Sequence, residues 1–141
     1  MFPEATLTVL DFYDPVKHTE VSIKRARRAY PAYEGTQRIS TSSLPLPDKY
    51  ADVVCLTFCA HEIRDAQERK VFFQEVKRVL KPGGCVAVTE HLRDSINFMA
   101  YNIGFFHFLP ASAWHTTFDE AQLTVMKQVK TTPFITTFIL V

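Results

Sequence analysis

Apolar and polar positions along the chain form a succession of short alternating runs, continuous apolar runs and helical stripes. Thr6-Leu-Thr-Val-Leu-Asp11 alternates and is rich in β-formers, which predicts a first strand ending at Asp11, with Pro15 barring its extension. Between Thr19 and Tyr30, Ile23, Ala26 and Tyr30 fall on one helical stripe, with Lys24, Arg25, Arg27 and Arg28 around the rest, and Pro31 stops the helix. Gln37 to Thr41 is a short strand, followed by the irregular loop SLPLPDKY. Asp52-Val-Val-Cys-Leu-Thr-Phe58 is almost continuously apolar, the pattern of a parallel strand buried on both faces.

Asp65 to Leu80 is the clearest helix, with Phe72, Phe73, Val76, Val79 and Leu80 on one face and Pro82-Gly83-Gly84 as its terminator. Cys85 to Glu90 is another apolar strand, so strand, helix and strand succeed one another at the spacing of a right-handed βαβ unit. Ser95 to Phe106 reads as a helix. Leu123 to Lys130 and Phe134 to Val141 read as an antiparallel hairpin turning at Thr132-Pro133. This order predicts a single domain over residues 1–141 of the α/β class: a Rossmann-like, open, mostly parallel sheet with a C-terminal antiparallel β-hairpin.

Charge adds little to this picture. The 16 Lys+Arg and 15 Asp+Glu nearly cancel and 47% of residues are apolar, which excludes disorder and gives no reason to expect nucleic acid as a partner. The basic residues Lys17, Lys24, Arg25, Arg27 and Arg28 read as a solvated face, because no aromatics interleave with them. The stretch from Ser95 to Thr117 contains no Asp, Glu, Lys or Arg, yet polar residues and Pro110 interrupt it, so no transmembrane segment is expected. Three cysteines, an odd number without a secretory leader, predict a reduced, cytoplasmic setting.

Candidate chemistry gathers in two similar pentapeptides, His61-Glu-Ile-Arg-Asp65 and Glu90-His-Leu-Arg-Asp94. Each follows the carboxyl end of a predicted parallel strand, where open α/β sheets bind their ligands. Two imidazoles beside two carboxylates suit general acid and base work, with His61, His91, Glu62 and Glu90 as the catalytic candidates. The plainer alternative has Glu62 and Glu90 capping helices or pairing with Arg64 and Arg93. No metal is expected: extended chain from Cys55 to Cys59 separates the thiols by roughly 13 Å. Cys55, Cys59 and Cys85 therefore read as buried thiols packing as small apolar groups. The aromatic segment Asn97 to Leu109 reads as core, or as the lining of a greasy substrate pocket or a membrane-surface contact.

The run SLPLPDKYADVVCLTFCAHEI, the helix ERKVFFQEVKRVLKPGG and the strand CVAVTEH resemble class I S-adenosylmethionine-dependent methyltransferases of the type 11-like kind. The resemblance implies S-adenosylmethionine as cofactor and a small, apolar acceptor molecule. It implies that Asp11 holds the ribose hydroxyls, with Phe12 beside it and Asp14 as a rival. Ser40 and Thr41 match the adenine-side segment, where the family commonly carries a carboxylate, and Cys59 and Ala60 match the stretch touching the cofactor. The first strand and glycine-rich turn of that family have no counterpart here: the four glycines, Gly35, Gly83, Gly84 and Gly104, contain no G-x-G. The fold is thus expected to be N-terminally incomplete, with the reading frame beginning internally and cofactor binding by this chain alone impaired. Loss of that central strand leaves a noncatalytic α/β module as the alternative, associating as a homo-oligomer through an exposed sheet edge. A nucleotide-dependent oxidoreductase also needs the absent glycine loop.

Overall fold

The computed structural model describes residues 4–19 and 21–141, in two compact units, up to Ser40 and from Thr41 onward. In the first unit β1 (Leu10–Asp11) pairs in parallel with β2 (Gln37–Arg38), and α1 (Val21–Ala29) connects them. Both strands are shorter than their alternation predicts. Alternation supplies a face to bury, but a strand needs a ladder, and Leu7 stays exposed without one. The stripe of α1 is likewise uncovered, with Ile23 half-buried and Tyr30 76% exposed. Glu20, within the predicted helix, lies outside the described residues, as do Met1 to Pro3.

The second unit runs β3 (Ala51–Thr57), α2 (Ala66–Val79), β4 (Leu80–His91), α3 (Ser95–Tyr101), α4 (Ala111–Glu120), β5 (Val125–Lys130) and β6 (Ile135–Leu140). Its sheet has the order β3-β4-β6-β5, with β3 parallel to β4 and the other two pairs antiparallel. The expected open α/β architecture is present, and its hairpin enters with the second strand against β4. One expectation is overturned. β3 is an edge strand of this sheet, with Val53 57% exposed and Cys55 exposed, rather than a strand buried on both faces.

Asp65 caps α2 by accepting from the Glu68 amide at 2.7 Å, and the helix ends at Val79, ahead of the Pro-Gly-Gly terminator that the sequence suggests. Leu80 is already extended and pairs with Ala51, while Cys85 pairs with Val53, so the intervening residues bulge from the ladder. Gly84 is required there, because a Cβ would lie 2.7 Å from the Asp52 carbonyl oxygen. The predicted helix from Ser95 breaks at Asn102, whose φ is 49°, and continues as a 3-10 turn over Asn102–His107.

α4 went unpredicted, although Trp114, Phe118 and Ala121 mark an apolar stripe. It packs on α2 through edge-on contacts of Phe73 with Trp114 and Phe118, and Phe118 in turn meets Phe138 of β6. Buried Arg69 joins the same helices by donating to Thr117 Oγ1 at 3.0 Å and to the Ile63 carbonyl at 2.9 Å. The prolyl loop is held by Arg78, which donates to the Leu44 and Leu46 carbonyls, to Asp48 and to Glu75. Phe73 is 0% exposed at the centre of the aromatic cluster. Phe73→Ala is expected to destabilise the chain by about 3–5 kcal/mol in denaturant unfolding. A loss below about 1 kcal/mol would show that the cluster does not hold the two helices.

Candidate functional site

The parallel register sets Thr57 opposite Thr89, so the residues beyond β3 meet the last residues of β4. Phe58 turns the chain sharply, with φ at 52°, an unusual value for a bulky residue, while its amide donates to the Thr89 carbonyl at 2.9 Å. Ala60, His61 and Glu62 then form a single 3-10 turn. Its leading amides, buried and without partners inside the turn, find an acceptor in Glu90: Glu90 Oε1 accepts from the Ala60 amide at 3.0 Å and the His61 amide at 3.3 Å. Glu90 Oε2 lies 2.6 Å from His61 Nδ1, and Glu90 is 0% exposed.

The other nitrogen of His61, Nε2, lies 3.1 Å from Glu62 Oε1. The same oxygen is 3.0 Å from His107 Nε2. Arg64 closes the outer side, donating to the His107 carbonyl at 2.6 Å and touching both nitrogens of its ring. Burial works against a charged His61, but the hydrogen bonds to Glu62 and Glu90 outweigh it and raise its pKa to about 9. Glu62 is driven the opposite way: burial favours its neutral form, yet the hydrogen bonds to His107 and His61 hold its carboxyl well below the usual range. At neutral pH His61 is therefore an imidazolium held between two carboxylates.

His91 is placed otherwise. Its ring stacks on Phe58 and on Phe108, each at a centroid distance of 5.0 Å, and Tyr101 meets both His91 and Phe108 edge-on. His91 Nδ1 is 3.0 Å from the Phe134 carbonyl, which requires the N–H there and leaves Nε2 toward the Tyr101 hydroxyl at 3.5 Å. Phe108, which also meets His61 edge-on, stands between the two histidines. His61, Glu62 and Glu90 are thus brought together and His91 belongs to the adjoining aromatic stack. Neither glutamate pairs with the arginines of its pentapeptide: Arg93 donates to the Phe108 and Phe106 carbonyls instead. His107 was not foreseen, because it sits in the aromatic segment, 46 positions from His61, with no charged neighbour to mark it.

The cysteines are corrected on burial: Cys55 is exposed and Cys59 and Cys85 half-buried, since β3 lies at an edge. The residues the resemblance assigns to cofactor divide between the units, Asp11, Phe12 and Ser40 in the first, Thr41, Cys59 and Ala60 in the second. Thr41 Oγ1 donates to Glu68 at 2.6 Å, and the Ala60 amide is given to Glu90. Asp11 is the last residue of β1 and accepts from Arg27 on both oxygens, at 2.5 and 2.7 Å.

This architecture is that of the Rossmann-like methyltransferases. It matches an S-adenosylmethionine-dependent methyltransferase from Aquifex aeolicus with a TM-score of 0.65 at 16% identity, over 93% of this chain and 65% of that one. One from Methanosarcina mazei gives 0.62 at 16% identity, over 94% and 79%. The family model described as a methyltransferase domain matches residues 8–88, more than half of the chain, and the chain belongs to that family. Among curated proteins, a ubiquinone/menaquinone biosynthesis C-methyltransferase of Vibrio campbellii is 33% identical over 73 residues, 50% of this chain and 27% of that protein. A demethylmenaquinone methyltransferase of Tropheryma whipplei is 38% identical over 55 residues, 39% of this chain and 22% of that protein. The chain thus spans about a quarter of the length of these relatives.

The cofactor of this class is S-adenosylmethionine. The donor set fits its ribose end, because a carboxylate at the end of a parallel strand accepts from a diol as it now accepts from Arg27, whose side chain is 41% exposed and has solvent to turn into. No helix among the described residues is long and apolar enough to cross a membrane.

The charged His61 has a measurable consequence. Its folded pKa of about 9 lies above the ordinary 6.5, so its contribution to stability is complete below pH 6.5 and is lost as pH rises through about 9. The thermal midpoint is expected to fall between about pH 7 and pH 9, and to fall less in Glu62→Gln. A midpoint in the wild-type chain that stays level over this span would mean that the ring is neutral.

Proposed function

We infer that the protein transfers a methyl group from S-adenosylmethionine to a small, largely apolar, hydroxylated ring compound of the quinol type. The observation that carries this reading is the buried His61–Glu90 pair beside an aromatic stack, exposed at Phe58 and Tyr101, at the ends of β3 and β4. The likeness to the Vibrio ubiquinone/menaquinone biosynthesis C-methyltransferase and the Tropheryma demethylmenaquinone methyltransferase supports the acceptor class.

The cofactor supplies a methyl carbon on a sulfonium, open to in-line displacement. The chain's part is alignment, charge and one proton. Asp11 accepts from the ribose hydroxyls once Arg27 turns aside. Phe58 and Tyr101, both exposed, offer apolar ring surface to the acceptor, and buried Phe108 backs the stack. His61 keeps its own proton to about pH 9 with both ring nitrogens given to Glu90 and Glu62, so it braces the turn beside the acceptor and leaves the acceptor's proton to another group. His91 takes the proton the acceptor loses, at Nε2, because its Nδ1 is committed to the Phe134 carbonyl. The test is label transfer from methyl-labelled S-adenosylmethionine to a panel of hydroxylated quinols. His91→Asn is expected to lower kcat by roughly 10²-fold or more with cofactor Kd unchanged. Label in no acceptor, despite bound cofactor, overturns this reading.

The edge of β3 supports a second reading, a module that associates through its sheet. Its side away from β4 carries no ladder among the described residues, and Val53 is 57% exposed there. A concentration-dependent dimer in sedimentation, abolished by Val53→Lys, is the expected sign, and a monomer at every concentration removes the reading.

A further inference from the structure

We propose that His61, Glu62 and His107 form a binding site for one divalent transition-metal ion of the zinc class, with Glu90 supporting it from behind. Ligand atoms of the three residues lie within 4.8 Å of one another. A tetrahedral zinc with bonds of about 2.0–2.1 Å holds its ligand atoms about 3.3 Å apart. Glu62 Oε1 is already 3.1 Å from His61 Nε2 and 3.0 Å from His107 Nε2. An expansion of a few tenths of an ångström along these two contacts, with the two imidazole nitrogens within 4.8 Å of each other, admits the ion.

The orientation of the rings is also that of a ligand set. Glu90 fixes His61 through Nδ1 at 2.6 Å, which turns Nε2 toward Glu62, the arrangement in which a carboxylate behind a histidine raises its strength as a ligand. Glu90 is held in turn by the Ala60 and His61 amides. Two histidines and one carboxylate leave a fourth position for water or a substrate oxygen. The ion takes the place of the proton now carried by His61, and that proton goes to solvent. Arg64 is the resident cation of the cluster. It retains its bond to the His107 carbonyl when its contact with the ring is displaced, so it opposes the ion by charge and not by blocking every approach. The site rests on these side chains alone and stands or falls apart from the methyl-transfer reading.

The experiment is calorimetric titration of the chelator-treated chain with Zn2+, alongside Co2+ followed by its visible absorption. Cys55, Cys59 and Cys85 are replaced by serine beforehand, to exclude thiol ligands. One ion per chain and the strong absorption of four-coordinate Co2+ are expected. His107→Ala, at a half-buried position, is expected to abolish that absorption and to weaken Zn2+ binding at least tenfold, and Glu90→Gln to weaken it 10–100-fold. Arg64→Ala is expected to tighten it, a gain that damage to the fold would not produce. Zn2+ binding unaffected by His107→Ala, no change on removing Arg64, or no binding by the cysteine-free chain would each overturn the site.

Discussion

The site in the second unit is organised around the Glu90 carboxylate, which is fully buried. Removing a carboxylate from water costs several kcal/mol even after relaxation, and attraction offsets this only where donors meet the oxygens in good geometry. Glu90 meets three donors, and all belong to two adjacent residues of the turn beyond β3. The turn in turn needs the charge, because a 3-10 turn of three residues, Ala60–Glu62, presents amides without intrahelical partners. Strand end, turn and imidazolium are therefore one solution to one electrostatic problem, and altering any of the three leaves a charge or a donor unmet.

Around this charge the apolar surface is distributed unevenly. The face of the sheet covered by α2 and α4 carries the close-packed aromatic cluster of Phe73, Trp114, Phe118 and Phe138. Phe98, Met99, Ile103 and Phe106, in contrast, are exposed along α3 and the 3-10 turn after it. Arg93 stiffens that turn by donating to the Phe106 carbonyl within it and the Phe108 carbonyl just after it, so the exposed aromatics are presented on a braced backbone. The site borders this apolar surface on one side and the charged pair on the other, which suits a molecule with a greasy body and a polar ring.

Much of the fold was legible because periodicity is read from the side chains that fill the core. The α2 stripe and the β4 run report burial directly, and both elements are present where the pattern puts them. Patterns lacking a partner misled: the residues before Leu10 alternate but have no ladder, and the apolar run of β3 describes a strand whose second neighbour this sheet does not contain. α4 was overlooked because its stripe lacks the charged opposite face by which a surface helix is recognised. In the site, the glutamates and His61 were visible through their place after strand ends. His107 was not, since only the folded chain brings the aromatic segment back over the turn beyond β3.

The two pentapeptides show how much one position of register decides. HEIRD and EHLRD look interchangeable in sequence, each pairing histidine with glutamate ahead of arginine and aspartate. β3 stops at Thr57 and Phe58 throws the chain into a turn, so His61 is free of strand alternation and its ring is buried against Glu90. β4 keeps pairing with β6 through His91, opposite Ile135, and alternation then governs: Glu90 points into the core and His91 away from it. Shifting β4 by one residue would bury the imidazole and expose the carboxylate, leaving the Ala60 and His61 amides with no acceptor. The different settings of the two histidines, one ring buried between Glu90 and Glu62 and the other stacked among aromatic rings, follow from that parity more than from the likeness of the pentapeptides.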